Sequence, residues 1–250
     1  MSEGLDREIP SGLVAALREA RSVVALTGSG ISAESGVPTF RDAQTGLWAR
    51  YDPQQLATPE AFLRDPELVW EWYAWRRKLV GEAGPNPGHL ALAGLERAIP
   101  GFTLVTQNVD GLHQLAGSER VVELHGNIRR TICSVEGVEV EPQDAAGMPP
   151  VCPNCGSPLR PDVVWFGEML PAGAMQAASE ASRNCEVFLS IGTSSMVYPA
   201  ASLPYEALSA GATVVEVNPD RTPLTPWADY GIRGAAGQVL PELLDACGFS

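Results

Sequence analysis

The sequence predicts a doubly wound α/β fold, in which helices cover both faces of a parallel sheet. Five short runs are almost continuously apolar, which is typical of strands buried on both faces. Helical segments lie between these runs, and this alternation indicates a parallel sheet. The predicted strands are Val23–Thr27, Thr103–Thr106, Val121–Leu124, Val187–Ile191 and Thr213–Asn218.

Helical periodicity accounts for most of the chain between the strands. One helical segment, Pro66–Val80, belongs to a stretch (Gln44–Gly84) that interrupts the alternation and holds four of the six tryptophans. A second interruption, Arg129–Pro161, is rich in proline, glycine and acidic residues. The other predicted helices are Leu13–Arg21, His89–Ala98, Gly111–Ala116, Ala172–Arg183, Ala200–Ala210 and Val239–Ala246.

The two interruptions predict a second, smaller domain. We expect residues 44–84 and 129–161 to form it, as a helical module joined to a cysteine-containing ribbon. Residues 1–43, 85–128 and 162–250 then form the main, Rossmann-like domain. A chain of 250 residues buries enough surface for one large domain and a small satellite.

Composition excludes several classes of protein. The formal net charge is −13, and nucleic-acid binding needs a basic surface instead. No apolar run reaches the ~18 residues of a membrane span, and the N-terminus lacks the apolar segment of a signal peptide. Five cysteines, an odd number, indicate a reducing compartment. We therefore expect a cytoplasmic protein with no nucleic-acid or membrane partner, and its oligomeric state stays open.

A glycine-rich loop follows the first predicted strand. Gly28, Gly30 and Ala33 form the pattern G-x-G-x-x-A, which is the fingerprint of dinucleotide binding when it joins a strand to a helix. The alternative is a tight turn without a ligand. A dehydrogenase would also carry an acidic residue at the end of its second strand, about 20 residues on. The chain has no strand there, which argues against an ordinary dehydrogenase.

At this point the chain resembles the sirtuins, a family of NAD-dependent protein lysine deacylases. The resemblance extends over nearly the whole chain, and several long blocks in the family's order are far more specific than any one of them. The matching blocks are Gly28–Ser32, Ser35–Arg41, Thr106–His113, Glu123–Gly126, Pro161–Glu168, Gly192–Ala200 and Glu216–Pro219.

The resemblance implies that the acyl group of a protein lysine is transferred to ADP-ribose while nicotinamide leaves. The products would be nicotinamide, the free lysine and O-acyl-ADP-ribose, and the partners would be acyl-lysine proteins or peptides. Two alternatives remain open: a protein mono-ADP-ribosyltransferase that uses the same pocket, and a non-catalytic NAD-binding protein.

The resemblance also implies three catalytic residues. His125 follows a predicted strand at the carboxyl end, where ligands bind in open α/β sheets, and it matches the family's general base. Asp110 would bind the nicotinamide carboxamide, and Asn108 would contact the ribose region. Alternatively, Asn108 and Asp110 serve only to form a turn or a helix cap, in which asparagine and aspartate are common. We expect His89 to be structural and His113 to support the site indirectly.

The resemblance assigns the remaining site residues to two sets. Residues Val164, Trp165, Phe166 and Gly167 would form an edge that pairs with an extended acyl-lysine peptide, although a buried structural strand is the alternative. The family usually has alanine where this chain has Ser29, so the effect of that hydroxyl is open. The expected NAD-binding residues are Gly28, Ser29, Gly30, Ile31, Phe40, Arg41, Gln107, Asn108, Asp110, Gly192, Thr193, Ser194 and Asn218.

The helix Pro66–Val80 carries a candidate acyl pocket. Tyr73 and Arg76 are three residues apart, so they share one face of the helix. A tyrosine hydroxyl next to a guanidinium is a suitable receptor for a carboxylate. The pair resembles the one that marks sirtuins able to remove succinyl or malonyl groups, besides acetyl. On spacing alone, an aromatic packing helix with a solvated arginine is the alternative.

Three of the five cysteines form a degenerate zinc ribbon. Cys152 and Cys155 form a C-x-x-C knuckle, and Cys133 precedes it at the spacing of zinc-ribbon proteins. The fourth position holds Glu136 instead of cysteine, and three thiolates with one carboxylate are an uncommon ligand set. The sequence thus suggests a structural zinc without settling it. We expect Cys185 and Cys247 to be core residues.

Overall fold

The structure, a computed structural model, describes residues 9–38, 52–141 and 149–249. It contains a six-stranded parallel sheet and a separate antiparallel pair of strands. All five predicted strands are present, within two residues at each end, and the short last strand of the sheet was missed. In chain order the strands are β1 (Ser22–Thr27), β2 (Gly101–Thr106), β3 (Val121–Glu123), β4 (Gly126–Cys133), β5 (Leu159–Val163), β6 (Val187–Ile191), β7 (Thr213–Val217) and β8 (Tyr230–Ile232).

The spatial order of the large sheet is β3-β2-β1-β6-β7-β8, with every pair parallel. The chain winds outward from β1 in one direction and then from β6 in the other. This is the strand order of Rossmann folds, and it opens a crevice at the carboxyl ends of β1 and β6. The predicted fold class is confirmed.

Helices cover both faces of this sheet, as predicted. The helix predicted over Ala200–Ala210 is divided into a 3₁₀ turn and α9, and Pro204 lies in the first turn of α9, where proline is best accommodated. Within the described part of the chain, no helix is both long and apolar enough to cross a membrane. The helices are α1 (Ser11–Glu19), α2 (Ser29–Ala33), α3 (Pro53–Leu56), α4 (Pro59–Arg64), α5 (Pro66–Glu82), α6 (Pro87–Ala98), α7 (Leu112–Leu115), α8 (Ala172–Asn184), α9 (Leu203–Ala210) and α10 (Ala236–Cys247).

Two hydrophobic clusters lie on opposite faces of the sheet. Residues of α1, α6 and α10 pack on one face, with Leu17, Leu95 and Leu243 fully buried. Residues of α8 and α9, such as Ala178 and Ala207, pack on the other face. The strands contribute to both clusters, which explains why they read as continuous apolar runs.

A third cluster joins α4 and α5 to the pair β4 and β5. Its large members include Trp72, Tyr73 and Trp165, all at most 2% exposed. The division into two domains stays a prediction. The boundaries that we placed at residues 128/129 and 161/162 fall inside β4 and β5, which pair with each other.

Three glycines allow the loops after β1 and β6 to touch through their backbones. The Gly30 N–H donates to the Gly192 carbonyl at 2.9 Å, and the Gly28 N–H donates to the Ile191 carbonyl at 3.0 Å. A Cβ on Gly30 would lie 2.7 Å from the Gly192 Cα, and one on Gly28 would lie 2.8 Å from the Gly192 oxygen. Glycine is therefore required where these two strands end.

We expect Gly192→Ala to destabilise the protein more than Gly211→Ala does. Both residues have positive φ, +58° and +91°, and this backbone costs a non-glycine residue about 1–2 kcal/mol. A Cβ on Gly192 would also lie 2.7 Å from the Ile31 nitrogen, whereas one on Gly211 meets nothing within 4 Å. Urea unfolding of both variants measures the difference, and equal losses of stability would contradict the packing argument.

Candidate active site

The carboxyl ends of five parallel strands bring most of the predicted site residues together. Gly28 follows β1, Gln107 follows β2, His125 lies just after β3, Thr193 follows β6 and Asn218 follows β7. All five therefore lie at one edge of the sheet, where open α/β folds bind their ligands.

The loop after β6 is held from both sides by amide side chains. Gln107 Nε2 donates to Thr193 Oγ1 at 3.1 Å, and Asn218 Nδ2 donates to the Thr193 carbonyl at 2.8 Å. Ser195 has a left-handed backbone, with φ of 53°, and its buried Oγ lacks a hydrogen-bond partner within the described residues. The hydroxyl and amide groups of this loop and its neighbours are of the kind that binds the hydroxyls and phosphates of a dinucleotide.

Asn108 and Asp110 are buried and meet at Ser32. The Ser32 hydroxyl donates to Asp110 Oδ2 at 2.7 Å and accepts from Asn108 Nδ2 at 3.1 Å. Asn108 Nδ2 also donates to the Gly28 carbonyl, and the Leu112 N–H donates to Asp110 Oδ1. Sequence reasoning did not single out Ser32, although it stands in the first block that resembles the sirtuins.

His125 is partly buried at the carboxyl end of β3 and contacts the backbone through one ring nitrogen. Its Nδ1 lies 2.9 Å from the Gln107 carbonyl, which can only accept, so Nδ1 carries the proton and Nε2 is the basic nitrogen. Burial lowers the pKa of His125 below its usual 6.5, and the Gln107 carbonyl opposes that shift. The imidazole is therefore neutral at pH 7 and able to accept a proton.

The other two histidines are fully buried and neutral. His113 Nε2 lies 2.9 Å from Thr27 Oγ1, and burial together with His89 lowers the pKa of His113 to about 3. His89 accepts the Asn86 N–H in a capping box and lies 3.4 Å from Ser32 Oγ. Of the three histidines, His125 is thus the one that is partly open to the crevice.

Some predicted site residues lie elsewhere. The Ile31 side chain is fully buried in the hydrophobic cluster of α1, α6 and α10, whereas Ser29 is exposed and Ser194 is partly exposed. Phe40 and Arg41 lie outside the described residues. Strand β5 ends at Val163, so the predicted peptide edge begins just after a strand.

Part of that edge is already bonded within the protein. The Val164 N–H donates to the His125 carbonyl, and the Phe166 N–H donates to the Ala57 carbonyl, both at 2.9 Å. Gly167 follows in a turn with φ of +88°. Trp165 is buried, whereas Phe166 is 47% exposed and able to contact a partner.

Tyr73 and Arg76 lie on the inner face of α5. Burial raises the pKa of Tyr73 to about 12, although the charge of Arg76 acts in the opposite direction. Burial also lowers the pKa of Arg76, whose guanidinium carbon lies 5.1 Å from the Trp72 ring centroid. A neutral phenol and a partly buried guanidinium are thus neighbours, and the acid pocket stays a prediction.

The structure brings the four candidate metal ligands together. One ligand atom from each of Cys133, Glu136, Cys152 and Cys155 lies within 4.8 Å of all the others. The Cys133 and Cys155 sulfurs are 3.5 Å apart, and Cys152 Sγ lies 3.8 Å from Glu136 Oε2. This spacing fits a tetrahedral zinc, with bonds of about 2.0–2.3 Å to oxygen and sulfur.

We expect the purified protein to contain one zinc ion per chain. This zinc should be bound more weakly than in a site with four cysteine ligands. Glu136→Cys should slow zinc loss to a chelator, because thiolate is a softer ligand than carboxylate. Cys152→Ser should lose the zinc and lower the melting temperature, whereas Cys185→Ser, a buried cysteine outside the cluster, should keep it. Metal analysis after chelation measures this, and a metal-free wild type would refute the assignment.

Comparisons with known proteins agree on one family. Residues 28–199 match the model of the Sir2 family. An NAD-dependent protein deacylase of Methylococcus capsulatus is 50% identical over 248 residues, 96% of this chain and 97% of that protein. An NAD-dependent protein deacylase of Thermus thermophilus is 54% identical over 232 residues, 91% of both chains.

Solved structures give the same result. A crystal structure of a Sir2 homologue–NAD complex matches with a TM-score of 0.90 and 47% identity, over 97% of this chain and 96% of that one. A Sir2–p53 peptide–NAD⁺ structure matches with a TM-score of 0.86 and 32% identity, over 97% and 100% of the two chains. The chain belongs to the Sir2 family.

Proposed function

We infer that the chain is an NAD-dependent protein lysine deacylase, as its relatives at about 50% identity are named. The observation that carries this function is His125, a neutral imidazole with a basic Nε2 at the same sheet edge as Asn108 and Asp110. NAD, when bound, supplies the ADP-ribose that accepts the acyl group as nicotinamide leaves.

The residues at the crevice divide the binding of NAD among them. Thr193, Ser194 and Asn218 hold the adenosine half, at the ends of β6 and β7. Gly28, Gly30 and Gly192 lie close together and have no side chains, so the pyrophosphate can lie close to the backbone there. Ser29 is exposed in this loop. Phe40 and Arg41 are assigned to NAD binding by their place in the matching block Ser35–Arg41 alone.

Asp110 accepts hydrogen bonds from the nicotinamide carboxamide, and Asn108 and Gln107 orient the ribose. Asp110 can do this because a carboxylate offers about four acceptor sites and two of them are used by Ser32 and Leu112. The Asn108 amide is held by Gly28 and Ser32. Positioning of this kind supplies much of the catalysis when the leaving group itself departs readily.

His125 acts as the general base that deprotonates a ribose hydroxyl. Its Nδ1 proton is held by the Gln107 carbonyl, so that Nε2 faces the reaction. The acyl-lysine peptide lies along Val164, Trp165, Phe166 and Gly167, with the exposed Phe166 in contact with it.

The acyl pocket accepts acidic groups, succinyl or malonyl, as well as acetyl. Tyr73 stays protonated and donates a hydrogen bond to the acyl carboxylate, while Arg76 supplies the positive charge. Burial strengthens both interactions because the local dielectric is low.

We expect His125→Ala to lower the rate of deacylation about 10²–10⁴-fold, which is the usual rate enhancement by a general base. In the wild type, kcat/KM should fall as the pH drops through the pKa of His125, which lies below 6.5, because protonation removes the base. Mass spectrometry of nicotinamide and O-acyl-ADP-ribose between pH 5 and 8 measures both effects.

The control is a thermal shift with ADP-ribose, which His125→Ala should retain. A variant with wild-type turnover would exclude His125 as the base. Peptide that gains the mass of ADP-ribose would indicate a transferase instead, and NAD binding without turnover of any peptide would indicate a binding protein.

We expect Arg76→Met to lower kcat/KM for a succinyl-lysine peptide at least tenfold relative to the matched acetyl-lysine peptide. The substitution keeps an unbranched apolar stem and removes the charge that a carboxylate needs, and tenfold corresponds to about 1.4 kcal/mol. Arg77→Met is the matched control, because Arg77 donates to the Ile128 and Arg130 carbonyls instead. Equal loss with both peptides would contradict an acid pocket.

A further inference from the structure

Four side chains form a continuous line of contacts that ends at the Tyr73 hydroxyl. Glu168 holds the Arg160 guanidinium through two hydrogen bonds, at 2.5 and 2.9 Å. The guanidinium carbon of Arg160 lies 3.3 Å from the centroid of the Trp165 ring, and Trp165 Nε1 lies 2.9 Å from Tyr73 Oη. These contacts connect β5 and the segment that follows it to the middle of α5.

Trp165 has little freedom to move within this line. Its backbone N–H donates to Glu168 Oε2 at 2.8 Å, one ring face is covered by Arg160, and the side chain packs against Phe62 at 5.2 Å between centroids. Trp165 is 2% exposed. The indole N–H therefore has a fixed position and direction.

The hydrogen bond between Trp165 and Tyr73 can have only one polarity. An indole N–H donates and never accepts, so the Tyr73 oxygen is the acceptor. The single hydroxyl proton of Tyr73 must then point away from Trp165. Because burial raises the pKa of Tyr73 to about 12, that proton is present throughout the physiological range.

We propose that Trp165 is a positioning residue for acyl selectivity: its indole N–H orients the Tyr73 hydroxyl as a donor toward the carboxylate of an acidic acyl group. The inference rests on the proposed deacylase and its acid pocket. The Arg160 charge is engaged by Glu168, so it does not compete with Arg76 for that carboxylate. Trp165 thus acts through Tyr73, beyond any contact with the peptide backbone.

The test compares kcat/KM for succinyl-lysine and acetyl-lysine peptides of one sequence. Trp165→Phe should lower the succinyl-to-acetyl ratio about fivefold to tenfold, as expected for one neutral hydrogen bond. Tyr73→Phe should lower it at least as much, because it removes the hydroxyl that donates to the carboxylate. Adding Trp165→Phe to Tyr73→Phe should change it less than about twofold, since Trp165 acts only through that hydroxyl.

Trp70→Phe is the matched control. Trp70 lies in the same hydrophobic cluster, and its indole N–H donates to the Leu159 carbonyl instead of to Tyr73. Its succinyl-to-acetyl ratio should stay within about twofold of the wild type. Benzothienylalanine at position 165, which keeps the bicyclic ring and replaces N–H with sulfur, is the second variant if Trp165→Phe does not fold.

An unchanged ratio in Trp165→Phe, or an effect that adds fully to that of Tyr73→Phe, would overturn the inference. A wild type that removes acetyl but not succinyl groups would overturn it together with the acid pocket, while the deacylase would stand. A wild type that turns over neither peptide would overturn the proposed function as well.

Discussion

The rest of the structure depends on the backbone contact between the loops after β1 and β6. Gly28, Gly30 and Gly192 approach so closely that any side chain there would enter the neighbouring backbone. The contact lies where the strand order reverses, the point at which the two halves of the sheet diverge. It sets the position of the Gly28 carbonyl, which holds Asn108, and of Thr193, which Gln107 and Asn218 bind from either side.

Polar groups below this contact are hydrogen-bonded to one another. Thr27, Thr106, His113, Ser32 and Asp110 are all at most 5% exposed. Such a buried network is stable only when most of its donors and acceptors are satisfied, so each member limits the positions of the others. His125 differs because it is only partly buried and bonds through a single ring nitrogen. The rigid network holds the backbone around His125 in place, which suits a side chain that transfers a proton.

The cluster around α5 follows a different principle. Aromatic rings provide its packing area, and three polar groups in or beside it have defined partners: Trp70 with the Leu159 carbonyl, Trp165 with Tyr73, and Arg77 with the Ile128 carbonyl. Arg76 is partly buried beside this cluster, with its guanidinium near the Trp72 ring. Two of the candidate metal ligands, Cys133 and Cys152, belong to the same hydrophobic cluster.

Gln107, Thr193 and Asn218 were predicted through the resemblance to the sirtuins. From its own pattern the sequence determined the fold class, five of the six parallel strands and the place of Asn108 and His125 at the carboxyl edge of the sheet. It could do so because apolar periodicity reports burial and because parallel strands all end at one edge. The three-residue strand β8 was too short to produce such a signal. Only the tertiary structure decided that Ile31 belongs to the core, that Ser32 joins Asn108 to Asp110, and that Trp165 donates to Tyr73. These contacts join residues 76 to 92 positions apart in the chain, and local pattern contains no information about such pairs.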